Sequence, residues 1–480
     1  MSTIFLTLYY IFCYCIFSYT LALMVTYLIL VIMSKRAKNK LDVNMPDDNT
    51  IKFLLRGSPL TPAVSVIAPA YNEEVMITEC VNSLLQIDYP DYEVIIVNDE
   101  STDDTMNILI NEYKLIEVPY DIAMRVQCKP IKRVMKSVDD RFSKLVVVDK
   151  VHGGTKADGS NAGINVCSNK YFVCTDVDCI IEPMALYRMM WHVVNSPAPM
   201  IGVGATMLMS NGCTVENGRL VEAAVSNRPL PMFQQLEYMR SFLISKLGWS
   251  SINALPNISG GFGLFDTDIA VKSGGYDPAS FAEDVDMLLR MVTYMKNHNL
   301  EFNLAMVPDA CCWTEGPGTV KQLFRQRTRW ARGLFEIVSN HRKLFFNPHY
   351  GPIGALTMPY IFIFEFLAPI LEMMGFMFML WLTPTGGVNW RSAIVVFGMI
   401  YLFCLFIASA VIYNDYRLKA VNWKSKRMNY LKLMVASVLE PFVYHPFQTF
   451  CSNIGYLRFI RNTRAVWTPI KRQGFNKKDQ

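Results

Sequence analysis

The sequence predicts an α/β protein, with one large domain on a mostly parallel sheet joined to α-helical transmembrane segments. Three observations predict it. The 480 residues are 52% hydrophobic and 18% charged, too apolar for a wholly soluble chain and too polar for a wholly embedded one. The apolar residues are segregated into long uncharged runs near the two ends, while residues 50–350 have ordinary globular composition. Within that middle stretch, short apolar strands alternate with helical patterns, as in a sheet covered on both faces.

Residues 4–33 form the first apolar run, ended by Lys35, Arg36, Lys38 and Lys40. The run lacks a basic leader and a small-residue cleavage site and is too long for a signal-peptide core, so it reads as a retained anchor. This gives an anchor over 1–34, a basic linker over 35–62 and a large domain over 63–345. Apolar segments at 353–382, 391–414 and 429–460 define a membrane region over 346–460, followed by a basic tail over 461–480. The loop carrying Arg417, Lys419, Lys424, Lys426 and Arg427 is cytoplasmic by the positive-inside rule, which also makes the 63–345 domain cytoplasmic. The chain is therefore expected to be a multi-pass protein of the cell's inner (plasma) membrane. The tail, with Arg461, Arg464, Lys471 and Arg472, belongs on the same side, but one plain last span would put it outside. Pro441 and Pro446 interrupt the helix ladder. They predict a broken helical hairpin that returns to the cytoplasm, with Glu440 and His445 facing protein or a channel; the alternative is a simple span with a misplaced end. The net charge of +5 is modest and its basic residues sit beside apolar segments, which points to a lipid surface and not to nucleic acid. The twelve cysteines show no metal spacing and are expected as reduced thiols.

In the large domain, Val64–Ala68 reads as a buried strand turning out through Tyr71, Asn72, Glu73 and Glu74. A second strand, Glu93–Val97, runs into Asn98-Asp99-Glu100. A third, Lys144–Val148, leads to Gly153-Gly154-Thr155-Lys156-Ala157-Asp158, where glycines admit a ligand close to the backbone, Lys156 can meet a phosphate and Asp158 can accept from a base or ribose. A fourth, Tyr171–Thr175, ends in Asp176-Val177-Asp178. Alternation puts both carboxylates on one face, where they repel unless a hard divalent cation sits between them. Ligands of such sheets bind at the carboxyl ends of strands, where all four polar clusters fall. Ser259–Phe265 reads as a flexible glycine loop. Glu283-Asp284 opens a helix, as a cap or as a general base. In Gln326-Arg327-Thr328-Arg329-Trp330, two forked cations and an indole suit a site that grips an anionic leaving group beside a sugar, although a basic amphipathic helix at a membrane surface would present the same run.

With these residues in order, the chain resembles the membrane-embedded processive glycosyltransferases of family 2. These have a Rossmann-like GT-A domain and include cellulose, chitin and hyaluronan synthases. The stretches 153–163, 235–265 and 467–475 look most similar to bacterial poly-N-acetylglucosamine synthases. The resemblance implies a UDP-sugar donor bound by Tyr71, Glu73, Asp99, Lys156, Asp158, Asp176 and Arg329. It implies Mg2+ or Mn2+ at Asp176 and Asp178, catalysis by Asp284 with Glu283, and a saccharide or glycolipid acceptor at Gln326 and Trp330. Departures from the family pattern are Asn98, Glu100, the additional Thr155, and Ala282 before the Glu-Asp pair.

The implied reaction is inverting transfer, by a hexosyltransferase, from a UDP-sugar, with UDP-N-acetylglucosamine the first candidate, onto a β-linked polysaccharide that leaves through the membrane segments. An accessory membrane or export protein is a further candidate partner. Two alternatives are a non-processive enzyme adding one sugar to a lipid, and a non-enzymatic nucleotide-binding receptor or transporter.

Overall fold

The computed structural model describes residues 3–413 and 426–461. The expected basic loop at 417–424 and most of the basic tail lie outside the described residues.

Ten of twelve strands form one sheet. In chain order they are β1 Val64–Ala70, β2 Tyr92–Asn98, β3 Leu115–Val118, β4 Ile131–Ser137, β5 Leu145–Lys150, β6 Tyr171–Thr175, β7 Cys179–Ile181, β8 Met200–Met209, β9 Thr214–Glu216, β10 Arg219–Glu222, β11 Phe262–Asp266 and β12 Asn303–Thr314. The sheet order is β3-β4-β5-β2-β1-β6-β11-β8-β12-β7, and β9 and β10 make a separate hairpin. The four strands read from the sequence are the contiguous block β5-β2-β1-β6, all parallel.

Outside that block the expectation of a mostly parallel sheet fails. Only β8 and β12 add a parallel pairing, while β3–β4, β4–β5, β6–β11, β11–β8 and β12–β7 are antiparallel. Parallel neighbours need a crossover helix, and the later chain uses its helices differently. After β8 ends, the helix Pro229–Arg240 and its continuation occupy the carboxyl end of the block, and β11 starts opposite Thr175, running back down. The stretch read as a flexible loop, Ser259–Phe265, is therefore largely a buried central strand. Its glycines serve close packing: a Cβ on Gly261 would lie 2.4 Å from Met207 Cε, and one on Gly263 2.2 Å from Ile258 Cγ2.

The strands of the parallel block are buried on both faces, as their continuous apolar runs require. Val64, Val66, Ile67 and Ala68 of β1 are fully buried. The helix Lys156–Val166 lies directly on β1, where a Cβ on Gly163 would come 2.3 Å from Ile67 Cγ2.

Three helices are long and apolar enough to cross a membrane among the described residues: Cys13–Asn44, Ile353–Leu382 and Trp390–Tyr413. Much of the expected linker over 35–62 is helical. The first helix runs on to Asn44, and a second, Asp48–Arg56, buries Ile51 and Leu55 and ties Asp48 Oδ2 to Arg188 Nη2 at 2.6 Å. The expected broken hairpin is a single helix, Lys426–Ile460, with Pro441 and Pro446 inside it. Tertiary contacts override the two prolines, because the helix is packed along Val320–Asn340 and bolted by polar pairs. Arg240 Nη1 meets Glu440 Oε2 at 2.6 Å, and His445 Nε2 meets Glu372 Oε1 at 3.1 Å, so both of the expected side chains do contact protein. All twelve cysteines are free.

Gly163→Val should overpack the interface between β1 and the Lys156 helix and lower stability by about 1–3 kcal/mol, read as a lower thermal midpoint of the purified protein.

Candidate active site

A cleft of ≈1110 Å3 opens at the carboxyl ends of the parallel strands. Tyr71, Glu73, Asp99, Lys156, Asp176, Asp178, Glu283, Asp284, Gln326, Arg329 and Trp330, all singled out in the sequence, line it. Asp158 alone does not.

At one corner β2 and β5 end side by side. Asp99 is buried; its Oδ1 accepts from Gly153 N at 2.9 Å, and its Oδ2 lies 2.9 Å from His152 Nδ1. The His152 ring stacks on Tyr71 with centroids 4.5 Å apart and planes at 28°, forming an aromatic ledge. Lys150, the last residue of β5, is fully buried; its Nζ bonds Asp99 and lies 2.6 Å from Asp158 Oδ1. Asp158 also accepts from Lys129 N at 3.0 Å. It thus lies behind the cleft lining, against Lys150 and the Lys129 amide. Gly153 is obligatory, since a Cβ there would lie 2.2 Å from Asp158 Oδ1. Sequence reasoning gave no role to Lys150 or His152. A lysine ending an otherwise apolar buried strand was the available signal, because such a charge must find anions. Two departures from the family pattern gain reasons here. Asn98 donates to Asp149 Oδ1 at 2.9 Å, and Glu100, at φ 58°, offsets its left-handed backbone by accepting from His152 N at 2.8 Å.

At the end of β6, Asp176, Asp178 and Cys179 offer ligand atoms all within 4.8 Å of one another, the one such group among the described residues. The additional Thr155 is the N-cap of the Lys156 helix, its hydroxyl accepting from Asp158 N at 3.3 Å. Capping turns Lys156 toward the Asp-x-Asp pair: its Nζ donates to Gly260 O at 2.6 Å and pairs with the Asp176 carboxylate. Burial opposes the Lys156 charge, but Asp176 outweighs it and holds the ammonium above the ordinary lysine range. The pair thus draws a cation already, and its hard carboxylate oxygens fit Mg2+ or Mn2+.

Glu283 and Asp284 start the helix Glu283–Asn297, whose preceding residue, Ala282, gives no side-chain cap. Ala282 is small because Gly333 abuts it: a Cβ on Gly333 would lie 2.8 Å from that of Ala282. Asp284 Oδ2 accepts from Gly260 N at 2.8 Å and its Oδ1 from Val285 N at 2.9 Å. Glu283 is pushed above its ordinary range by burial and then by the Asp284 charge, partly offset by Arg329 and Lys156. Asp286 points away, bonding His341 Nε2 at 2.8 Å and Arg290 Nε at 2.7 Å, and so locks this helix to its neighbours.

The helix Val320–Asn340 begins with a Thr319/Gln322 capping box and carries the Gln326–Trp330 motif. Arg329 and Trp330 are exposed in the cleft, and Gln326 Oε1 is buried there without a hydrogen-bond partner among the described residues. The expected pair of cations separates. Arg327 turns inward, where its Nη1 and Nη2 each meet the Glu237 carboxylate at 2.7 Å and Nη2 meets Tyr444 Oη at 3.0 Å. Its guanidinium also lies 4.2 Å from the Trp330 ring centroid. Glu237 and Tyr444 are far from the motif in sequence, and no spacing pointed to them.

A mixed sheet with carboxylates gathered at its strand ends, facing an arginine–tryptophan helix, defines a glycosyltransferase domain of GT-A type. Residues 62–333, more than half the chain, match the family described as "Glycosyltransferase like family 2", and the chain belongs to it. It is 27% identical over 275 residues to a poly-beta-1,6-N-acetyl-D-glucosamine synthase of Staphylococcus epidermidis, covering 57% of this chain and 55% of the relative. It is 28% identical over 291 residues to the probable glycosyltransferase YdaM of Bacillus subtilis, covering 59% and 58%. The match thus spans little more than half the length of these relatives. Among solved structures, the mannosyltransferase PcManGT from Pyrobaculum calidifontis, in complex with GDP-Man and Mn2+, shares the fold with a TM-score of 0.51 and 16% identity, covering 93% of this chain and 99% of that one.

Lys150→Met leaves two buried carboxylates facing each other and should cost about 3–5 kcal/mol, measured by chemical or thermal unfolding. Glu283 supplies a pH signature. Its raised folded value means that the folded state holds a proton the unfolded state has released, so stability falls as pH rises from the unfolded carboxyl value through the folded one. Glu283→Gln should remove that slope from a plot of thermal midpoint against pH.

Proposed function

We propose that this chain transfers a sugar from a UDP-sugar, UDP-N-acetylglucosamine first, to the end of a growing β-linked polysaccharide, by a single displacement with inversion. The observation that carries the reading is the convergence of Asp176 and Asp178, Glu283-Asp284 and Gln326/Arg329/Trp330 on one cleft. The relatives named poly-beta-1,6-N-acetyl-D-glucosamine synthase support the choice of sugar.

Tyr71 and His152 offer the ledge for the nucleobase, and Asp99, fixed by Lys150 and Gly153 N, accepts from it. Asp176 and Asp178 would hold Mg2+ or Mn2+, which when bound offsets the diphosphate charge. Arg329 adds a fixed positive charge for the departing UDP. Asp284, held by the Gly260 amide, takes the proton from the acceptor hydroxyl that attacks the anomeric carbon. Glu283 lies beside it, its carboxyl pushed above the ordinary range by burial and by the Asp284 charge. Trp330, backed by Arg327, stacks on the acceptor sugar, and the buried Gln326 amide oxygen accepts from one of its hydroxyls. The enzyme sits in the inner membrane with its catalytic domain cytoplasmic, its apolar helices guiding the product outward, alone or with an accessory membrane protein.

Asp284→Asn should lower kcat about 10²–10⁴-fold while UDP still binds, in membranes given radiolabelled UDP-sugars; full transfer by that variant would remove the base assignment. Chelation by EDTA should abolish transfer and Mn2+ restore it. Sizing the product of one preparation separates a polymer from addition of a single sugar to a glycolipid.

A further inference from the structure

Two wide π-helical turns wall the membrane side of the cleft. Ser241–Lys246 continues the Pro229–Arg240 helix, and Ile361–Phe366 lies within the apolar helix Ile353–Leu382. An additional residue per turn rotates the side chains that follow, and such turns recur at functional sites. From the first turn Phe242, Ser245 and Lys246 reach the cleft; from the second, Ile361 and Glu365.

Lys246 is the informative residue. Only 6% of it is exposed, yet it lines the cleft. Its ammonium lies 4.3 Å from the Phe242 ring centroid and, among the described residues, forms no ion pair. Asp284 and Glu365 are the carboxylates whose fields reach it, and burial pushes its pKa down to about 8. A buried cation without a partner is costly unless a ligand completes it. The ligand must accept from an ammonium, donate to a carboxylate and lie against aromatic faces, since Tyr238 and Phe242 stand 5.7 Å apart on the same wall. Beside Lys246 a phosphate would meet the carboxylates of Asp284 and Glu365, whose fields oppose it. A neutral saccharide satisfies all three demands.

Building on the assignment of Asp284 as the base of sugar transfer, we propose that Lys246 and Glu365 form an acceptor subsite for the sugar unit behind the reacting one. The ammonium binds its hydroxyl or amide oxygens, Glu365 accepts from a hydroxyl, and Phe242 supports the ring. Lys246 is then a specificity-determining residue that favours an oligosaccharide over a single sugar.

The test uses the full chain in detergent with UDP-N-acetylglucosamine and Mn2+. The acceptors are N-acetylglucosamine, its short oligomers, and a polyprenyl phosphate. Lys246→Met should raise KM for the oligomers ~10-fold or more, the range for a hydrogen bond to a charged group, while leaving KM for the monosaccharide and the Kd for UDP unchanged. Glu365→Gln should move the oligomer KM in the same direction, and Lys246→Arg should restore it. An oligomer KM that neither Lys246→Met nor Glu365→Gln changes overturns the subsite while leaving sugar transfer intact. So does a loss confined to the polyprenyl phosphate, which would mark a phosphate site. A wild-type chain that transfers to none of these acceptors overturns the underlying function instead.

Discussion

Four carboxylates, Asp176, Asp178, Glu283 and Asp284, face one cleft, and like charges at such range oppose folding unless something answers them. The surrounding architecture is organised around that constraint. Lys156 is paired with Asp176, the Gly260 amide is aimed at Asp284, and burial with the Asp284 charge raises the pKa of Glu283. Gly260 serves both sides at once, its N–H facing Asp284 and its carbonyl receiving Lys156. The loop before β11 therefore couples Lys156 and the Asp-x-Asp end of the cleft to Asp284.

The parallel half of the fold was legible because β1, β2, β5 and β6 obey simple patterns: continuous apolar runs, polar turns at their carboxyl ends and a helix between successive strands. The motif residues were legible for the same reason, since strand ends put chemistry where ligands bind. The rest was hidden by particular conflicts between local and tertiary preference. Ser259–Phe265 has three glycines and looks like a loop, but two of them are there because Met207 and Ile258 leave no room for a Cβ. Pro441 and Pro446 argue for a break, yet the packing of Glu440 against Arg240 and of Tyr444 against Glu237 keeps the helix whole. Lys150 and Lys246 gave weak signals, because a single lysine in an apolar run shows its meaning only when its surroundings are known.

The separation of Arg327 from Arg329 sharpens the reading of their motif. Spacing alone makes both cations ligands for the same anion. In the structure one faces the cleft and the other faces the protein, where Glu237 and Tyr444 hold it against the back of Trp330. The indole is consequently backed by a fixed cation, which limits its tilt and presents one flat face to the cleft.

Tyr444 belongs to the helix Lys426–Ile460, beyond the last residue of the family match at 333. The end of the family match therefore falls inside a single mechanical unit. A domain cut there would keep every signature residue and lose the brace behind its tryptophan. A shift of the late helix, from crowding by lipid or by a neighbouring protein, would reach Trp330 through two side chains and no loop. Movement of the late helix and the presentation of the indole in the cleft are thereby linked by contact.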